Sequence, residues 1–216
     1  MKFLIILLAP FTLAPDDASD RYLDCLVLIE EDVQVGRRAA QLWAEEGGGA
    51  NAQHCQAIAD LAAGFTKLGA ARLEDLSQRK DAGDDLVRAR IYVQAAEAWL
   101  RAEATDNAER AIAAAFELAP DAGELHLTAA SIHLAAERYT QVIAAVDTAE
   151  QAGFISTKGF IERGKASLAT GNAEAAAEDV VNALTLEPYN IDALTLRGDV
   201  QRAGITIDVA LGTPRQ

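Results

Sequence analysis

The chain has 216 residues, half of them hydrophobic and 6% aromatic, with a formal net charge of −14. This length accommodates one large domain or an array of small units. The acidity excludes a nucleic-acid backbone as partner and disfavours an anionic lipid surface, and its simplest consequence is solubility. Much of the hydrophobic share is Ala, the best helix former, and small residues let helices approach closely. Alternating Val, Ile, Thr and Tyr runs with hairpin turns are missing from the sequence. An all-α chain is therefore expected.

Residues 1–18 hold one Lys, an apolar run from Phe3 to Leu13, then small and polar residues. This is the layout of a secretory signal peptide, too short to span a bilayer comfortably. Cleavage after Ala18 would put Asp16 where a small residue is preferred, so the cleavage site stays open, with an uncleaved anchor as the alternative. Export is expected, to the periplasm if the source is Gram-negative, with no membrane span in the mature chain. Cys25 and Cys55 are an even pair in an exported chain, which suggests one disulfide; two buried thiols are the alternative.

Residues 19–49 read as a helical pair that ends at Gly47-Gly48-Gly49. Residues 50–88 read as a second pair around Gly64, with Gly69, Ala70, Leu73 and Leu76 in its second helix. This unit is longer than those that follow, and its excess lies in the polar stretch from Gln78 to Asp85. From there the chain restates itself. Arg163-Gly164 recurs as Arg197-Gly198, 34 residues on, and Pro120 and Pro188 are separated by twice that interval. The units are 89–122, 123–156 and 157–190. A polar capping helix with Asp192, Arg197, Asp199 and Arg202 follows over 191–204, and a loose tail over 205–216.

A 34-residue period of paired helices is the mark of one repeat family. In 89–122 the first helix carries Tyr92, Ala95, Ala96 and Trp99, and the second Ala108, Ile112 and Ala115 before Pro120. In 157–190 the series is Phe160, Gly164, Gly171, Ala173, Ala176, Val180, Ala183 and Pro188. In 123–156 it is His126, Ala129, Ala130, His133, Tyr139, Val142, Val146 and Ala149, with His in both aromatic positions and Val142 where Ala is usual. These series resemble the tetratricopeptide repeat. The resemblance implies a right-handed α-solenoid of stacked helix-turn-helix repeats, about five hairpins plus a capping helix. It also implies that Cys25 and Cys55 lie on adjacent first helices, where a bridge fits. Arg163-Gly164 and Arg197-Gly198 would then place glycines where successive first helices cross closely.

Catalytic patterns are lacking: no G-x-S-x-G, P-loop or H-E-x-x-H occurs. His126 and His133 are seven apart and share a helical face, a spacing that suits metal ligands or an acid–base pair. Both stand where the repeat wants packing aromatics, and packing is the expected role. His54 beside Cys55 does not make a metal site, and no cofactor is expected. The resemblance implies a groove lined by first helices. Arg90, Glu97 and Arg101 would come from one unit, Leu127, Ser131 and Leu134 from the next. Lys158, Ile161, Lys165 and Leu168 would follow, with Asp199 and Arg202 from the cap. The Lys and Asn pattern with which some family members hold a peptide carboxylate is not matched. The expected function is a non-catalytic protein–protein interaction scaffold or assembly factor in the cell envelope, with an unidentified protein or peptide in the groove. An accessory or tethering subunit of an envelope enzyme and a self-assembling module stay open as alternatives, and the sequence leaves the oligomeric state undetermined.

Overall fold

The computed structural model describes residues 16–207. Among them are eleven α-helices and no strand. They run α1 Asp16–Glu31, α2 Val33–Glu45, α3 Gly49–Ala62, α4 Thr66–Ser77, α5 Asp85–Arg101 and α6 Thr105–Leu118. Then come α7 Leu125–Ala135, α8 Tyr139–Gln151, α9 Thr157–Ala169, α10 Ala173–Leu186 and α11 Ile191–Arg202. Consecutive helices pack as antiparallel hairpins, which gives five hairpins and α11. The apolar run Phe3–Leu13 expected to be a signal peptide lies outside the described residues, as does the chain after Ile207.

Local chemistry sets the helix starts. Asp32, Asp84, Ser156, Asn172 and Asn190 cap α2, α5, α9, α10 and α11, each accepting a bond from a backbone N–H of the first turn that has no partner inside the helix. Helices α6 and α10 end two residues before Pro120 and Pro188, which cannot continue a helix.

The 34-residue period also appears in the backbone of the turns. Glu103, Glu137 and Gly171 close three successive hairpins, and all three have positive φ, at 56°, 55° and 85°. Glycine takes this left-handed conformation freely, whereas an L side chain there costs about 1–2 kcal/mol. Glu137→Gly is therefore expected to stabilise the chain by about 0.5–1 kcal/mol, after the extra flexibility of glycine in the unfolded chain is set against the relieved strain. Urea melts of the two proteins check it.

Small residues pack where the repeat needs them. On α5, Tyr92, Ala95, Ala96 and Trp99 are buried, and Ala108, Ile112 and Ala115 of α6 face them. The Trp99 indole N–H donates to Glu74 at 3.0 Å, so its polar edge is satisfied. His126 packs against the Phe116 ring, the centroids 4.9 Å apart, which is the packing role expected of it. Each core cluster joins a hairpin to its neighbour, which for the last hairpin is α11, so no hairpin buries its faces alone.

The two glycines of the repeated Arg-Gly differ. A Cβ on Gly164 would stand 2.8 Å from Leu196 and 3.2 Å from the Asp179 side chain, so α9 and α11 cross closely there. A Cβ on Gly198 would meet nothing within 4 Å. The expected close crossing therefore exists at the first glycine and not at the second, because among the described residues no further hairpin stacks on α11. The tail also departs from expectation. Ile207 is buried in the last core cluster, and its carbonyl accepts from Arg197, so the chain is docked rather than loose through Ile207.

Candidate functional site

Successive first helices touch one another along most of the array: α1 with α3, α5 with α7, α7 with α9, and α9 with α11. Successive second helices do not approach to the same degree. The stack therefore curves with the first helices on its inner side, and the groove is theirs.

The residues expected to line it are distributed as follows. Arg90 of α5 is exposed and donates to Glu124, the residue before α7, at 3.1 Å. Glu97 is half-buried and Arg101 exposed. Lys158 is exposed and lies 3.7 Å from Glu162; Lys165 is exposed in the field of the same carboxylate. Leu127, Leu134 and Leu168 are half-buried against neighbouring helices. Asp199 and Arg202 pair with each other on α11. Two expectations need correction. Ile161 is buried in the last core cluster, because the α9–α11 crossing turns it inward, and it offers no groove surface. Ser131 is also buried, and its hydroxyl donates to Glu162 Oε1 at 2.7 Å.

Glu162 is the buried charge of this stretch. Burial raises its carboxyl above the ordinary value of 4.5, with Lys158 and the Ser131 hydroxyl pulling the other way. A raised acid contributes its full stability below that ordinary value and loses it as pH rises through the folded value. Glu162→Gln keeps an acceptor for Ser131 and removes the buried charge. It is expected to raise the melting temperature at neutral pH and to give no gain at about pH 4; melts at both pH values check this.

A cavity opens in the groove elsewhere, between α3 and α5. Here the extra length of the second unit forms a single 3₁₀ turn, Lys80–Ala82, which packs against α3 and α4. Helices α3 and α5 consequently lack the direct approach that other successive first helices make. The space between them is a cavity of about 280 Å³. Ala50, Leu76, Ala82, Val87 and Ile91 form its apolar lining. Tyr22, Asn51, His54, Arg90 and Gln94 supply the polar groups.

His54 organises the polar wall. Its Nε2 lies 2.7 Å from Gln94 Oε1, an acceptor, so Nε2 carries the proton and donates. Nδ1 then accepts from the Tyr22 hydroxyl at 2.8 Å. Burial holds the imidazole below the ordinary histidine range, against the Gln94 bond, which favours the charged form. A neutral ring in this tautomer leaves the Gln94 amide NH₂ as a donor for a ligand. One residue along the chain, Cys55 forms a disulfide with Cys25, one turn from Tyr22, with the two Cα atoms 6.5 Å apart. The bridge thus ties α1 to α3 and holds Tyr22 against His54. Nothing in the sequence around His54 points to Tyr22 or Gln94 as its partners. The signal that could have found the cavity is the extra length of the 50–88 unit.

No protein-family model matches this sequence, and neither does any curated protein. Solved structures do match. PilF of Pseudomonas aeruginosa superposes with a TM-score of 0.66 at 13% identity, over 84% of this chain and 82% of its own. YrrB, a tetratricopeptide-repeat protein with an unusual peptide-binding site, gives 0.60 at 14% identity, over 85% and 93%. A thermophilic tetratricopeptide-repeat protein of Thermus thermophilus gives 0.61 at 15% identity, over 86% and 98%. The chain has the tetratricopeptide-repeat fold. Within that fold its irregularities stand out: histidines at both aromatic positions of α7, a buried Val142 in place of Ala, and the 3₁₀ insertion after α4. Each breaks the tetratricopeptide pattern in sequence while the hairpin stack is kept.

Proposed function

We propose that this chain is a non-catalytic protein-interaction scaffold that works in the cell envelope and holds an extended peptide or protein segment along the groove of its first helices. The observation that carries the reading is the groove itself: an inner face of first helices with a part-apolar cavity in the gap between α3 and α5 and exposed Lys158 and Lys165 toward the other end. A groove of this kind gives affinity through apolar anchors and orientation through a few polar groups. Cations gathered there in a chain of net charge −14 steer acidic segments to the groove and away from the remaining surface. Envelope placement is supported by the apolar run at Phe3–Leu13 and by the Cys25–Cys55 bridge, since disulfides persist in oxidising compartments. Binding of peptides by a protein of the same fold adds weight.

The test is crosslinked capture from the exported fraction of the native host, with the wild type and a Lys158→Glu, Lys165→Glu double variant in parallel. A partner held by the wild type and lost by the variant supports the reading and names the process. Equal recovery by both would move the interface off the groove's basic end.

A further inference from the structure

The cavity between α3 and α5 has a composition that selects its occupant. We infer that it is an anchor site for one bulky aliphatic or aromatic side chain of a bound peptide, with an acidic group of the same peptide one or two residues away meeting Arg90. This deepens the groove reading and rests on it.

Size is the first argument. At about 280 Å³ the cavity falls just below the range of about 300–1,000 Å³ usual for small-molecule and cofactor sites. A cavity of that volume has room for one large side chain. Lining is the second. Exposed Val87 and half-buried Ala50 and Ala82 present alkyl surface over a floor of buried Leu76 and Ile91, and none of these offers a charged or amide group a partner. An apolar side chain is favoured there in proportion to the area it removes from water.

Charge is the third argument. Arg90 lines the cavity and 60% of its side chain is exposed. It contacts Glu124 through one carboxylate oxygen at 3.1 and 3.4 Å, a loose arrangement that leaves guanidinium donors for a second carboxylate. A lysine or arginine side chain entering beside Arg90 would be repelled, so a basic occupant is excluded. The Gln94 NH₂ and the Asn51 amide can bond the peptide backbone between the apolar and acidic groups.

The site is tested with a random hexapeptide display library panned on the full chain with its disulfide intact. The most enriched sequence is then made as a fluorescent peptide and titrated. Enrichment of Leu, Ile, Met or Phe followed within two positions by Asp or Glu is expected. Ala82→Leu fills the cavity and should weaken the selected peptide about thirtyfold, as loss of an anchor does. Arg90→Gln, at an exposed position that tolerates change, should weaken it about two- to fivefold and erase the preference for the acid while keeping that for the apolar residue. A melting curve confirms that Ala82→Leu is folded. Peptides whose binding ignores Ala82→Leu and Arg90→Gln but is lost in the Lys158→Glu, Lys165→Glu double variant would overturn the anchor site and leave the groove reading standing. Failure to enrich any sequence would overturn both.

Discussion

Reduction of the Cys25–Cys55 bridge is expected to remove about 3–4 kcal/mol from the stability of the N-terminal end, the value the chain-entropy model assigns to a 30-residue separation. The loss should be local. In a solenoid each hairpin contacts its neighbours alone, so stability is close to a sum of nearest-neighbour terms. The first hairpin has a small core, Cys25, Ile29, Ala40 and Trp43 packed on Ala52, Cys55 and Ala59. It also has a neighbour on one side only among the described residues, and it exposes Leu23, Val27, Val35 and Leu42. A reduced chain should therefore melt in two steps, with α1 and α2 opening first. Thermal melts with and without reductant read the early step. Hydrogen exchange then locates it: amides of α1 and α2 should lose protection while those of α7 to α11 keep theirs. A single unchanged transition under reductant would mean that helix packing alone holds α1. Because Tyr22 reaches His54 only when α1 is in place, the same experiment loosens one wall of the α3–α5 cavity.

Much of the architecture was legible in the sequence because it is periodic. Tyr92, Ala95, Ala96 and Trp99 sit at helical spacing on α5, and their burial follows from the spacing. Gly164 was legible as a close crossing for the same reason. Gly198 was misread because periodicity says where a crossing would fall and not whether another helix arrives. The site was less legible. Ile161 and Lys165 occupy first-helix positions of similar pattern, yet residues of α10 and α11 close over the first in the last core cluster and leave the second exposed. The α3–α5 cavity depends on a departure from the repeat. The extra length of the 50–88 unit marks where it falls, but how the Lys80–Ala82 turn holds two helices apart is a property of packing. His54 needed Tyr22 and Gln94, 32 residues before it and 40 after it, to become more than a lone histidine.

Arg163→Ala is expected to cost about 3–5 kcal/mol, the usual loss when one partner of a buried ion pair is removed. Arg163 joins three helices. Its Nη1 donates to Asp147 at 2.6 Å and Glu150 at 2.7 Å, both on α8, and its Nη2 donates to Asp179 of α10 at 2.8 Å. Burial works against the guanidinium's charge, but the hydrogen bonds to Asp179, Glu150 and Asp147 outweigh it and push its pKa up. The three acids do not contribute equally. Asp147 and Glu150 are about four-tenths exposed, so water can replace the arginine for them. The Asp179 side chain is 3% exposed, and without Arg163 its carboxylate has no charge partner in the core. Most of the loss therefore sits on Asp179, and two measurements check that. Replacing both groups, Arg163→Met with Asp179→Leu, should recover most of the stability, because two apolar residues leave no orphaned charge. The pH dependence gives the other. Burial already raises Asp179 above its ordinary 3.8, with Arg163 opposing, and removing the arginine raises it further. A raised acid has its full stability contribution below that ordinary value and loses it as pH rises through the folded value. Urea melts should then show the deficit of Arg163→Ala large at neutral pH and shrinking toward about pH 4. A deficit independent of pH, or a double variant no better than the single one, would assign the loss to packing of the arginine stem between α8 and α10 instead.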